Sequence, residues 1–250
     1  MGQRPGRSAH RILTYDVGIS EAPSGGMMYS TDLTSVSLDA FEETILTVDL
    51  LPSRKLLAEG ISDLVPELKL FGIDTLDDLR GLLRDKGRYA DLALDLGVDK
   101  EYLIVLNREV NSYVSTPVAL SQLNVFTESE LERLRLAGIR STKSLYERCT
   151  WPLDREAIVV EHDLNEERLA LALELSDLVR INGVGPAFAH FLRGLGIRSP
   201  HDFNATDPLE ILERHRQSAG EKPDPGPDLR LADVEYCRRF SLRLSNDIEW

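Results

Sequence analysis

From Ser37 to Leu244 apolar residues recur at helical spacing, and strand-like alternation is scarce. Ser37 suits an N-cap for a helix over Leu38–Leu46, with Phe41, Ile45 and Leu46 on one face and Asp39, Glu42 and Glu43 near its positive end. Pro52 marks a second start, followed by short helices over Arg54–Glu59 and Val65–Leu70, the latter closed by Gly72 as a left-handed cap. Tyr89, Leu92, Leu94 and Leu96 continue the pattern, then Tyr102, Leu103, Leu106 and Val110. Asp99 and Asn165 are N-cap candidates for Lys100–Ser112 and Glu166–Leu178, and Leu231–Leu244 reads as a closing helix. The fold class is all-α.

A short pattern recurs three times: Phe71-Gly72-Ile73-Asp74-Thr75-Leu76, Ala137-Gly138-Ile139-Arg140-Ser141-Thr142 and Leu195-Gly196-Ile197-Arg198-Ser199-Pro200. An amphipathic helix precedes each, and a capped helix bearing Leu79, Leu145 or Phe203 follows. The pattern predicts one unit used three times. A helix ends at Gly, an Ile plugs the core, Asp74, Ser141 or Ser199 caps the next helix, and Thr75, Thr142 or Pro200 enters its first turn.

The predicted organisation is an extended or partly disordered N-terminal arm over 1–36, helical units over 37–113 and 114–176, and a third over 177–250. A Pro/Gly-rich loop over 217–229 lies inside the third. Stacked units of this kind bury their apolar faces on one another and form an elongated body suited to recognition.

Composition narrows the function classes. The chain has 250 residues, 42% hydrophobic and 28% charged, as in a folded globular protein. Apolar runs such as Tyr102–Leu106 and Ala157–Val160 are far shorter than the roughly 20 residues a membrane helix needs. No apolar signal core follows the basic stretch Met1–Arg11, and Cys149 and Cys237 lie too far apart for a CxxC site, so a reducing cytoplasm is the expected location. The net charge of −13 opposes broad adhesion to polyanions, so any such contact has to be local.

The sharpest motif is Ile181-Asn182-Gly183-Val184-Gly185-Pro186-Ala187-Phe188-Ala189. It fits a helix-hairpin-helix turn: the glycines allow tight turning, Val184 fastens the turn to the core, and Pro186 starts the second helix. Free N–H groups at that helix start form a potential phosphate cradle. Residues 178–201 hold Arg180, Arg193 and Arg198 and no Asp or Glu, a cationic exception in an acidic chain. A Gly-Val-Gly turn also packs two helices closely with no ligand. In the other units Val125-Phe126-Thr127 and Glu59-Gly60-Ile61 stand at the corresponding place, and the glycine pair is lost.

The segments LLPSRKLL (50–57), REVNSY (108–113), LSDLVRINGVGPAFAHFLRGLGI (175–197) and DVEYCRRF (233–240) resemble a bacterial domain-of-unknown-function family built of tandem helix-hairpin-helix-like units, over about residues 37 to 245. The resemblance implies that fold and no settled activity. Helix-hairpin-helix proteins suggest sequence-independent contact with a DNA backbone. By that carry-over Gly183, Val184 and Gly185 supply amides, with Arg180 and Arg193 nearby. The acidity of the chain and its one intact hairpin depart from a strong DNA binder.

Other chemistry is not indicated. The five His show no HxH or HExxH spacing, GxSxG and GxxxxGK[ST] are absent, and neither a metal, a cofactor nor a catalytic residue is expected. Arg238, Arg239 and Arg243 form a cationic stripe that either extends the hairpin patch or pairs with Asp233 and Glu235. Trp151 is expected to pack a repeat junction. Two functions remain open. One is a weak, backbone-directed DNA contact through the 180–198 hairpin. The other is a protein-interaction scaffold that engages an unidentified partner and does not bind nucleic acid.

Overall fold

The computed structural model describes residues 28–220 and 229–249. Helices account for its regular structure: α1 (Leu38–Thr47), α2 (Leu56–Leu70), α3 (Leu76–Leu82), α4 (Tyr89–Leu96), α5 (Lys100–Asn111), α6 (Glu128–Leu136), α7 (Thr142–Cys149), α8 (Pro152–His162), α9 (Glu166–Leu178), α10 (Pro186–Gly194), α11 (Pro200–Ala205), α12 (Pro208–Gly220) and α13 (Leu231–Ser241). The described residues contain no strand, only the isolated antiparallel bridges Ser37–Thr75 and Ala119–Ser141. The all-α expectation holds.

The three Gly–Ile junctions share one local geometry. Gly72, Gly138 and Gly196 have φ of 75°, 81° and 85°, the left-handed conformation that favours glycine. The amides of Ile73, Ile139 and Ile197 each reach back to a leucine carbonyl five residues earlier, Leu68, Leu134 and Leu192, at 3.1, 2.8 and 3.1 Å. These are Schellman closures, and they drive each Ile into a core. The next helix is capped three residues after each glycine, by Thr75, Ser141 and Ser199. In the first unit this corrects Asp74: the Thr75 hydroxyl accepts from the Asp78 amide at 3.2 Å, and Asp78 Oδ2 accepts from the Thr75 amide at 3.0 Å.

Two hydrophobic cores result. One gathers Leu33, Val36 and the apolar faces of α1 to α5, with Tyr113 and Phe240. The other gathers Tyr29 and the faces of α6, α7, α9 and α10, with Phe203, Ile211, Val234, Cys237 and Ile248. The helices expected for 114–176 and 177–250 thus share one core. α13 enters both, through Phe240 on one side and Val234 and Cys237 on the other. A buried ion cluster reinforces that seam: Glu109 of α5 accepts from Arg239 of α13 at 2.7 Å and lies 3.4 Å from Arg54 Nε.

Several expectations change. Residues 28–36 are packed rather than extended, with Tyr29, Leu33 and Val36 buried and a 3-10 turn over Leu33–Ser35, because their apolar side chains complete both cores. Residues 1–27 of the expected arm lie outside the described residues. The two short helices of 54–70 are one helix, α2, which runs through Pro66 because its buried face (Leu57, Ile61, Leu64, Val65, Leu68) is continuous. α12 extends to Gly220 into the expected loop, of which 221–228 lie outside the described residues. Trp151, expected to pack a junction, is half exposed.

Candidate functional site

The hairpin follows from the chain leaving α9. The amide of Ile181 bonds to the Leu178 carbonyl at 3.1 Å and that of Val184 to the Ile181 carbonyl at 3.0 Å, which winds the turn tightly. Val184 is buried in the second core, as its place between two glycines suggested. Gly183 has φ 94°, and a Cβ there would stand 2.8 Å from Cys237 Sγ and 3.5 Å from a Tyr236 ring carbon. Asn182 Nδ2 donates to the Ser112 carbonyl at 2.8 Å and to the Tyr236 hydroxyl at 3.3 Å. One flank of the turn is therefore pressed onto α13 and the end of α5. Gly185 differs: its φ is −89°, nothing lies within 4 Å of a Cβ placed on it, and it begins α10 without a side-chain cap.

The arginines are arranged otherwise than their clustering in sequence implied. Arg180 is 1% exposed. Its guanidinium donates to the Asp177 carboxylate, to the Tyr146 hydroxyl at 2.7 Å, and to the carbonyls of Tyr29 at 3.0 Å, Met28 at 3.3 Å and Ser245 at 3.0 Å. Burial pushes the Asp177 carboxyl up from the ordinary carboxylate range, and Arg180 beside it opposes that rise. Arg180 is therefore corrected from a phosphate ligand to an internal tie. Its five donors are engaged, and its charge is met inside the protein. Arg193 pairs with Glu174, whose side chain is 8% exposed, and Arg198 Nε lies 3.7 Å from the same carboxylate.

The stripe on α13 is also divided. Arg239 pairs with Glu109 and Arg238 donates to the Asn204 carbonyl at 2.9 Å, while Asp233 pairs with Arg230. Neither sequence alternative for the stripe describes this arrangement. His190 Nε2 contacts the Leu123 carbonyl at 2.6 Å and His215 stands edge-on to Phe191. No group of metal-ligating side chains occurs among the described residues. No helix there is long and apolar enough to cross a membrane.

Sequence reasoning missed Glu174 and Asp177, the two acids that claim the hairpin cations. The available signal was two carboxylates inside the apolar run Leu173–Ile181, where a buried charge requires a partner. It also missed Glu130. Burial alone would raise the pKa of this carboxyl, but hydrogen bonds from the Thr127 amide and hydroxyl, the Asn165 amide and Arg168 together hold it down at about 2.

These features define an all-helical protein with a glycine-bounded turn between α9 and α10 and recurrent Gly–Ile helix junctions. Residues 124–229 match the family model described as Domain of unknown function (DUF4332), a span that holds the hairpin and the second and third junctions. Of the four segments noted in the sequence, 175–197 falls within it and the other three outside. No curated protein and no solved structure matches the chain.

Proposed function

We infer that the chain is a non-catalytic binding module of tandem helix-hairpin-helix-like units, acting as a protein-interaction scaffold. The three equivalent Gly–Ile closures, each followed by a cap three residues on, support the tandem reading. The observation that carries the scaffold is the engagement of Arg180, Arg193 and Arg198 by Asp177 and Glu174. A phosphate backbone approaching the hairpin would have to displace these carboxylates, at the cost of leaving buried acids unpaired. The remaining surface of a chain at −13 favours basic protein partners.

A second reading keeps the hairpin as a weak, sequence-independent DNA contact. It is supported by the open space beside Gly185 and by the start of α10, which has no side-chain cap. Arg193 and Arg198, with side chains 35% and 59% exposed, are the cations close enough to assist.

Fluorescence anisotropy of labelled duplex and branched DNA at roughly 50 and 200 mM salt separates the two, because phosphate contacts weaken steeply over that range. The scaffold reading expects flat traces at both salts. Salt-sensitive binding that is lost in Arg193→Ala/Arg198→Ala would overturn it in favour of the second.

A further inference from the structure

α8 is unusual among the helices in what it leaves outside. Only Ile158 of its eleven residues is buried, yet it carries Leu153 and Val160 at 76% and 82% exposure, with Trp151 half exposed just before it. Leu153, Glu156, Ala157 and Val160 stand at i, i+3, i+4 and i+7, so they share one face, and all four are exposed. Ala157 in the middle keeps that stripe low enough for a second helix to approach closely. Beside the stripe a groove of about 590 Å³ runs between α8 and α9, with Pro152, Arg155, Glu156, Val159, Val160 and Glu166 among its lining residues.

Charge selects the occupant. Glu156 and Glu166 line this groove, and neither has an ion-pair partner among the described residues. Arg155, the cation that also lines this groove, is engaged within the chain, donating to the carbonyls of Cys149 at 3.0 Å, Thr150 at 3.1 Å and Glu249 at 2.5 Å. An apolar stripe edged by unpaired carboxylates complements an amphipathic helix with aliphatic residues on one face and Lys or Arg at the margins.

Resting on the scaffold reading above, we propose that the α8–α9 groove is the docking site for a basic amphipathic helix of a partner protein. The helix lies along α8, its apolar residues over Leu153, Ala157 and Val160 and its cations against Glu156 and Glu166.

The test uses the full chain and a labelled synthetic peptide with leucines at i, i+4 and i+7 and lysines between them, titrated by anisotropy. The expected result is saturable binding that falls about tenfold or more in Leu153→Asp/Val160→Asp and in Glu156→Lys/Glu166→Lys. It should stay within about twofold in Glu59→Lys/Glu67→Lys, a charge-matched control on α2. All these positions are exposed, so each variant should keep the wild-type circular dichroism. Equal losses in the α2 control, or no loss in the α8 variants, overturn the site. Absence of binding overturns the partner chemistry. Binding seen only after removal of residues 1–27 overturns a partner in favour of the chain's own basic stretch Met1–Arg11. None of these failures touches the scaffold reading, which the DNA titration decides separately.

Discussion

Replacing Gly183 and Gly185 in turn by Ala separates the two tasks a Gly-Val-Gly turn can perform. At Gly183 two penalties add. A φ of 94° costs a residue with a Cβ about 1–2 kcal/mol, and the new methyl would lie 2.8 Å from Cys237 Sγ, overpacking worth about 1–3 kcal/mol. Gly183→Ala should therefore lose about 2–5 kcal/mol in urea unfolding followed by far-ultraviolet circular dichroism, with an unchanged m-value. At Gly185 the dihedral is ordinary and the space open, so Gly185→Ala should stay within about 1 kcal/mol of wild type: a weaker N-cap offsets the smaller entropy of the unfolded chain. Adding Cys237→Ala to Gly183→Ala removes the crowding but not the dihedral cost, so the double variant should show about 1–2 kcal/mol of favourable coupling. A Gly183→Ala variant within about 0.5 kcal/mol of wild type would refute the close packing on α13, and strict additivity would refute Cys237 as its cause.

Glu130→Gln should destabilise the protein by about 2–3 kcal/mol at neutral pH, since a carboxyl held at about 2 rather than 4.5 contributes stability present above about pH 4.5. That stability disappears as the pH falls toward 2, so the wild-type and variant unfolding curves should converge in acid; a pH-independent gap would contradict the assignment. Arg180→Met strands the buried Asp177 and should cost about 3–5 kcal/mol, while Arg180→Met/Asp177→Leu should recover much of it, both read by urea midpoint. Burial pushes the thiols of Cys149 and Cys237 up to about 12, so iodoacetamide should label neither in the native state and both in urea. Rapid native labelling of Cys237 would mean that the hairpin and α13 separate in solution.

What the sequence made legible were features fixed within a few residues. Gly72, Gly138 and Gly196 announced the helix ends, Asn165 and Ser141 caps, and Val184 its burial, because each depends on local dihedrals and near neighbours. Two caps were local slips: Asp99 stands at the N-cap of α5 without a side-chain hydrogen bond, and the cap of α3 is not Asp74. Thr75 holds the place that Ser141 and Ser199 hold, three residues after the glycine, and aligning on that spacing identifies it. The misread features depend on distant residues. Arg193 meets a carboxylate nineteen positions away, Arg239 one on α5, and Arg180 carbonyls at Met28 and Ser245 besides Asp177 just outside the 178–201 window, so arginines unopposed within that window were not free in space. The two short helices expected over 54–70 merge into α2 for a related reason: the face covered by α1 and α5 outweighs the one amide missing at Pro66.

The ties of Arg180 also bear on how such a chain can be rearranged over evolution. Repeated units suggest parts that can be duplicated, trimmed or exchanged at their borders. Here a single guanidinium binds Met28 and Tyr29 ahead of α1, Tyr146 of α7, and Ser245 beyond α13. A recombination event that swapped the segment around α9 alone would strand this cation among carbonyls meant for it. The segment around α9 is therefore portable only together with both flanks, and a chimera that exchanges it alone should be less stable than one that carries the flanks with it.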